Sequence, residues 1–112
     1  MKTASITEHL IYKTDKPAIS VMLESDHSKE IRILMRKGQL MKEHKAPNAI
    51  VVALFDGEID FGVHGETLKL KKGDLIALEA NVPHDLYCTE DAIIRLSLSK
   101  NDSVDRVNKI VD

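Results

Sequence analysis

GQLMKEHKAPNAIVVALFDG (residues 38–57) and GDLIALEANVPHDLYC (residues 73–88) are the two stretches whose reading decides the fold. In the first, five residues separate Gly38 from His44, and the stretch closes on Gly57. In the second, five residues separate Gly73 from Glu79, one separates Glu79 from Asn81, and two separate Asn81 from His84. Fifteen residues lie between Gly57 and Gly73. Two histidines held on separate strands of a small β-protein can reach one interior point. The spacing therefore directs attention to His44 and His84.

The flanking sequence reads as β. Ile19, Val21 and Leu23 alternate with Ser20, Met22 and Glu24; Ile31, Ile33 and Met35 alternate with Arg32 and Arg36. Ile59, Phe61 and Val63 alternate with Asp60 and Gly62, Leu68 and Leu70 with lysines, and Ile94, Leu96 and Leu98 with Arg95 and Ser97. Period-two alternation marks strands with one buried face. Asp56-Gly57, His64-Gly65 and Lys72-Gly73-Asp74 are turn signals between them, and Asp-Gly fits a tight turn because both residues tolerate positive φ. Short strands at this spacing predict an all-β antiparallel barrel or double-sheet jelly roll. AIVVALF, Ala49 to Phe55, is apolar on both faces and is expected to be buried on both sides. A second subunit is the natural cover for its outer face, so a homodimer is expected, with Ala49–Phe55 and Ile19–Leu23 as interface elements. At the end, Val104, Val107, Ile110 and Val111 recur at helical spacing, and Asp102 or Ser103 can cap a short helix there.

Composition sets the outer bounds. A chain of 112 residues fits one domain, taken here as residues 1–112. The net charge of −2 argues against a basic nucleic-acid-binding surface. No apolar run approaches the roughly 20 residues that span a bilayer. The start, MKTASITEHLIYK, lacks the apolar stretch of a signal peptide, so export is not expected. The single cysteine, Cys88, rules out an internal disulfide framework and fits a reducing, cytoplasmic setting.

The two stretches resemble the paired motifs of the cupin superfamily, over about residues 30–98. That resemblance implies a cupin-type barrel, or double-stranded β-helix, with the short C-terminal helix added. In the family pattern the first motif is Gly, five residues, His, one residue, His, three or four residues, Glu, six residues, Gly. Here it falls on Gly38, His44, Ala46, Ile50 and Gly57. The second motif is Gly, five residues, Pro, one residue, Gly, two residues, His, three residues, Asn. It falls on Gly73, Glu79, Asn81, His84 and Cys88. Asn81 is the mildest departure, since Asn tolerates the positive φ that Gly otherwise supplies. The resemblance implies a divalent metal held by three histidines and a glutamate, and of those positions only His44 and His84 keep a donor.

Several readings of the pair stand together. His44 and His84 can share a divalent metal (Zn, Fe or Ni), although two imidazoles fall short of the three or four protein ligands zinc requires. Alternation points Glu43 and Asp85 away from the site and puts Cys88 on the same face as His84, where a thiolate of lowered pKa could ligate. Cys88 also reads as a small buried hydrophobe. Alternatively the pair lies in a metal-free pocket for a small organic ligand, lined by Ala46, Ile50, Cys88, Met35 and Phe61, or forms part of an inert core. The functional expectation is a small-molecule-binding or sensory module. The alternative is a metal-dependent cupin enzyme of dioxygenase or isomerase type.

Overall fold

The computed structural model describes residues 1–112. Seven strands precede one helix: β1 (Ala18–Glu24), β2 (Ser28–Met35), β3 (Leu40–His44), β4 (Ile50–Val63), β5 (Glu66–Lys71), β6 (Leu75–Leu78), β7 (His84–Ser99) and α1 (Val104–Val111). Every strand pairing is antiparallel.

The two long strands organise the rest. β4 and β7 pair along their length, from Ile50 opposite Leu98 to Val63 opposite His84. β2 flanks the second half of β7, and β3 flanks its first half. β6 flanks the first half of β4, and β5 its second half. Each long strand therefore belongs to two sheets, which is the double-sheet jelly roll the alternation predicts. β1 continues beyond β2 as an edge strand.

The join between the sheets corrects one expectation. Asp56-Gly57 is not a hairpin turn. It lies inside β4, where the pairing with β7 shifts register between Leu54 and Ile59. The inward residues are Ile50, Val52 and Leu54 before this point and Ile59, Phe61 and Val63 after it, so the buried parity flips. A β-bulge does this by inserting an extra residue and bending the strand. Gly57 sits at φ +89°, and a Cβ there would collide with the backbone carbonyl of Asp91 on β7. Asp-Gly thus supplies a bend rather than a reversal. His64-Gly65 does reverse the chain between β4 and β5, with both residues at positive φ.

Burial follows from this frame. Ile31, Ile33, Met35, Phe61, Cys88, Ile94 and Leu98 fill the interior. The outer face of Ala49–Phe55 is not buried within one chain: Val51 and Phe55 are 37% and 43% exposed. Arg32 and Leu34, on the outer face of β2, are covered after all. The N-terminal segment lies over them, and the Arg32 guanidinium donates to the carbonyls of Ile6, Glu8 and His9. α1 spans the predicted range. Its N-cap is Ser103, whose Oγ accepts from the Arg106 N–H at 3.1 Å, and it docks through Val107 against the barrel, next to β3 and β1.

Candidate functional site

β3 and β7 pair so that His44 stands opposite His84. Directly opposed residues on an antiparallel pair share a face, and here that face is the barrel interior. The two ring centroids are 4.2 Å apart with planes at 64°, an edge-to-face contact. Phe61 lies behind His84 on β4, stacked at 5.4 Å and 8°. The stack fixes the plane of the His84 ring, and its offset is of the kind aromatic pairs prefer.

Each ring is also fixed by its own backbone. His44 Nδ1 is 2.6 Å from the Lys42 carbonyl oxygen, and His84 Nδ1 is 2.9 Å from that of Val82. A carbonyl only accepts, so Nδ1 carries the proton in both rings and Nε2 carries a lone pair. Burial drives the His44 pKa down to about 4, against the pull of the Lys42 carbonyl and with help from His84 and Arg106. Burial and the Arg106 charge likewise lower that of His84. Both imidazoles are therefore neutral at pH 7.

The pair faces a cavity of about 20 Å³ lined by thirteen residues, ten of them hydrophobic. The exceptions are His44, His84 and Arg106. That volume holds about one water molecule. Ala46 and Ile50, the positions where the motif substitutes apolar residues, lie in its wall, as do Val107 and Ile110 of α1. The helix thus closes the end of the barrel over the histidines. Arg106 is held by Asp102 through Nε and a terminal nitrogen, both at 2.7 Å, and by the Lys45 carbonyl at 3.3 Å. Asp102 is buried. Burial works to raise its pKa, but the bonds from Arg106 and the Ser103 N–H outweigh it and hold the carboxyl low.

The remaining candidates fall elsewhere. Cys88 is fully buried and does not line the cavity. Its sulfur donates to the Glu90 carbonyl at 2.9 Å, and burial pushes the thiol up to about 11. Met35 lies beside it in the core, its carbonyl 3.5 Å from the Cys88 sulfur. Phe61 reaches the site through its stack on His84 rather than as cavity wall. Glu43 and Asp85 line an open polar groove with His64 and Pro83, away from the cavity. Sequence reasoning missed Arg106, Val107 and Ile110. Their apolar period announced a helix, but no local signal says which end of the barrel it covers.

The donor set does not fit a resident metal. No third His, Cys, Asp or Glu joins the pair, whereas structural and catalytic zinc sites have three or four protein ligands. Two imidazoles on one zinc, at Zn–N of about 2.0–2.1 Å, place their centroids roughly 5 Å apart. The 4.2 Å separation found here is closer and edge-to-face.

Comparison with known proteins agrees with this architecture. No curated protein matches the chain in sequence. Among solved structures, a conserved Streptococcus pyogenes protein of unknown function is 22% identical, with TM-score 0.75 over 91% of this chain and 90% of that one. A Klebsiella pneumoniae protein with a double-stranded β-helix domain is 19% identical, with TM-score 0.79 over 92% and 94%. At these identities the likeness is one of fold. A cupin 2 conserved barrel domain protein from Leptotrichia buccalis is 29% identical, with TM-score 0.72 over 81% of this chain and 44% of that one. The Cupin domain family model, Cupin_2, matches residues 31–99. That match takes in both histidine-bearing stretches and most of the barrel, and the chain accordingly belongs to the cupin domain family.

Proposed function

We propose that this cupin is a metal-independent binding module for a small molecule, held at His44 and His84 and covered by α1. One observation carries the reading: two neutral imidazoles, each with Nδ1 tied to a backbone carbonyl, line a cavity whose wall is otherwise almost entirely hydrophobic. Small-molecule sites combine an apolar lining with a few polar groups that fix orientation. Ala46 and Ile50 supply lining where the family pattern supplies donors. Phe61 orients His84, and Met35 and Cys88 belong to the packed core further along the barrel. The module acts in the cytoplasm, where Cys88 stays reduced.

The module works as a homodimer. Val51, Phe55 and Leu75 are 37%, 43% and 66% exposed, and Ala53 pairs with Leu75, Val51 with Ala77, across β4 and β6. A contiguous apolar face of this kind favours a second copy, with the edge strand β1 as a further interface element. Sedimentation equilibrium at tens of micromolar gives a dimer of the 12.5 kDa chain, and Phe55→Glu gives a monomer. A wild-type monomer at that concentration contradicts this part of the proposal.

Elemental analysis of protein purified without an affinity tag or added metal tests the main reading. The expected result is no stoichiometric metal, with a small molecule recovered or bound on addition. One Zn, Fe or Ni per chain, lost in His44→Ala, would instead support the dioxygenase or isomerase alternative.

A further inference from the structure

Resting on the binding reading above, we infer that the cavity selects a neutral hydrogen-bond donor: a hydroxyl-bearing molecule with an apolar body. The two rings share one polarity. Lys42 and Val82 carbonyls fix the proton on each Nδ1, so both Nε2 atoms can only accept. An incoming carbonyl or ether oxygen would bring lone pairs against lone pairs. A hydroxyl brings a proton that one of the two Nε2 atoms can accept.

Charge narrows the class further. An anion needs an uncompensated cation, and Arg106, the only charged group in the wall, is already neutralised by Asp102 through two bonds. An ammonium group could donate to Nε2, but no carboxylate lines the cavity to offset its burial, and an unpaired buried charge is costly. A purely apolar molecule would displace water and leave two nitrogens without a partner, each an expense of desolvation. A neutral hydroxyl brings no charge into the wall and donates to one of the two nitrogens, which an apolar molecule cannot do.

Size sets the manner of entry. The cavity of about 20 Å³ takes the hydroxyl oxygen and little more. The apolar body therefore occupies the space that Ile110 and Val107 now fill, and α1 shifts outward to admit it. α1 is suited to this: it is eight residues long and has one fully buried side chain, Val107.

Three ring compounds of similar size separate the possibilities: phenol, its apolar isostere toluene, and benzoate. Their affinities are measured by calorimetry on the full chain, on Ile110→Ala, which enlarges the space under α1, and on His84→Phe, which keeps the stack on Phe61 but removes one acceptor. Phenol is expected to bind at least about tenfold more tightly than toluene, because a polar site rejects an isostere that cannot make its hydrogen bond. Ile110→Ala tightens phenol binding, and His84→Phe narrows the preference while keeping toluene binding. Equal affinity for phenol and toluene, or tighter binding of benzoate, overturns the inference and leaves the binding module standing. No saturable binding of any probe to wild type or Ile110→Ala overturns both.

Discussion

His84 and Cys88 lie on one strand, on one face, four residues apart, yet they inhabit different environments. Around His84 the interior holds a small cavity, two free imidazole nitrogens and a helix for a cover. Around Cys88 it is solid: Met35, Cys88 and Ala92 are all fully buried, and the thiol spends its proton on a backbone carbonyl. Distance explains part of the contrast. Four residues of strand cover about 13 Å at roughly 3.3 Å per residue, too far for Cys88 to share a ligand with His84. Sharing a face is therefore a weaker condition than sharing a site. The cover explains the rest, because α1 lies over the histidine end and lines its cavity with Val107 and Ile110.

The largest effect should come from disturbing the solid end. Met35→Ala is expected to lower unfolding free energy by about 2–5 kcal/mol, the range for truncating a fully buried side chain that cannot collapse around the void. Urea denaturation measures it. A loss well under 1 kcal/mol would mean that this end is as loosely filled as the other. The same contrast predicts that Cys88 resists thiol reagents in the native protein at pH 8 and reacts promptly once urea unfolds it. Prompt labelling of the native chain would break the distinction.

A smaller effect is expected at the histidine end. Ile110→Ala should cost about 1–2 kcal/mol, since Ile110 is only partly buried. Hydrogen exchange should speed up in α1 with little change in β4 and β7. Uniform acceleration across the barrel would show that α1 is integral to the core rather than a cover.

Acid offers a subtler probe. The His44 pKa falls from 6.5 to about 4 on folding, so between these values the unfolded chain binds the proton and the native chain does not. Stability from this residue is intact above about pH 6.5 and declines as the pH falls toward 4. In that window, wild type should lose more thermal stability than His44→Asn. The native carboxylates of Glu30, Glu58, Asp91 and Asp102 contribute equally to both proteins and cancel. Parallel Tm profiles would place His44 in a more solvated setting than its burial implies.

Much of this could be read from residues alone, for identifiable reasons. Alternation fixed the strand faces, and the two motif spacings aligned His44 with His84, because register on a pleated sheet propagates from the turns that set it. Asn81 is at φ +66°, in the left-handed region that the motif gives to glycine, so its substitution there was interpretable. Asp56-Gly57 reads as a turn because a bulge and a turn ask for the same residues; the difference lies in a contact with Asp91 on the neighbouring strand β7, distant in sequence. The cover over Arg32 is not legible because nothing in its own strand announces a segment folding back to receive its donors. The position of α1 depends on tertiary docking, and with it the identities of Arg106, Val107 and Ile110 as cavity wall.

The central claim is that His44 and His84 form a pair of neutral acceptors rather than half of a metal site. Histidine ¹⁵N NMR of the full chain at pH 7, before and after one equivalent of Zn²⁺, tests it most directly. The account predicts that both rings carry the proton on Nδ1, leave Nε2 unprotonated, and keep these signals unchanged on adding zinc. Protons on Nε2, or a concerted shift of both Nε2 signals at one zinc per chain, would contradict it.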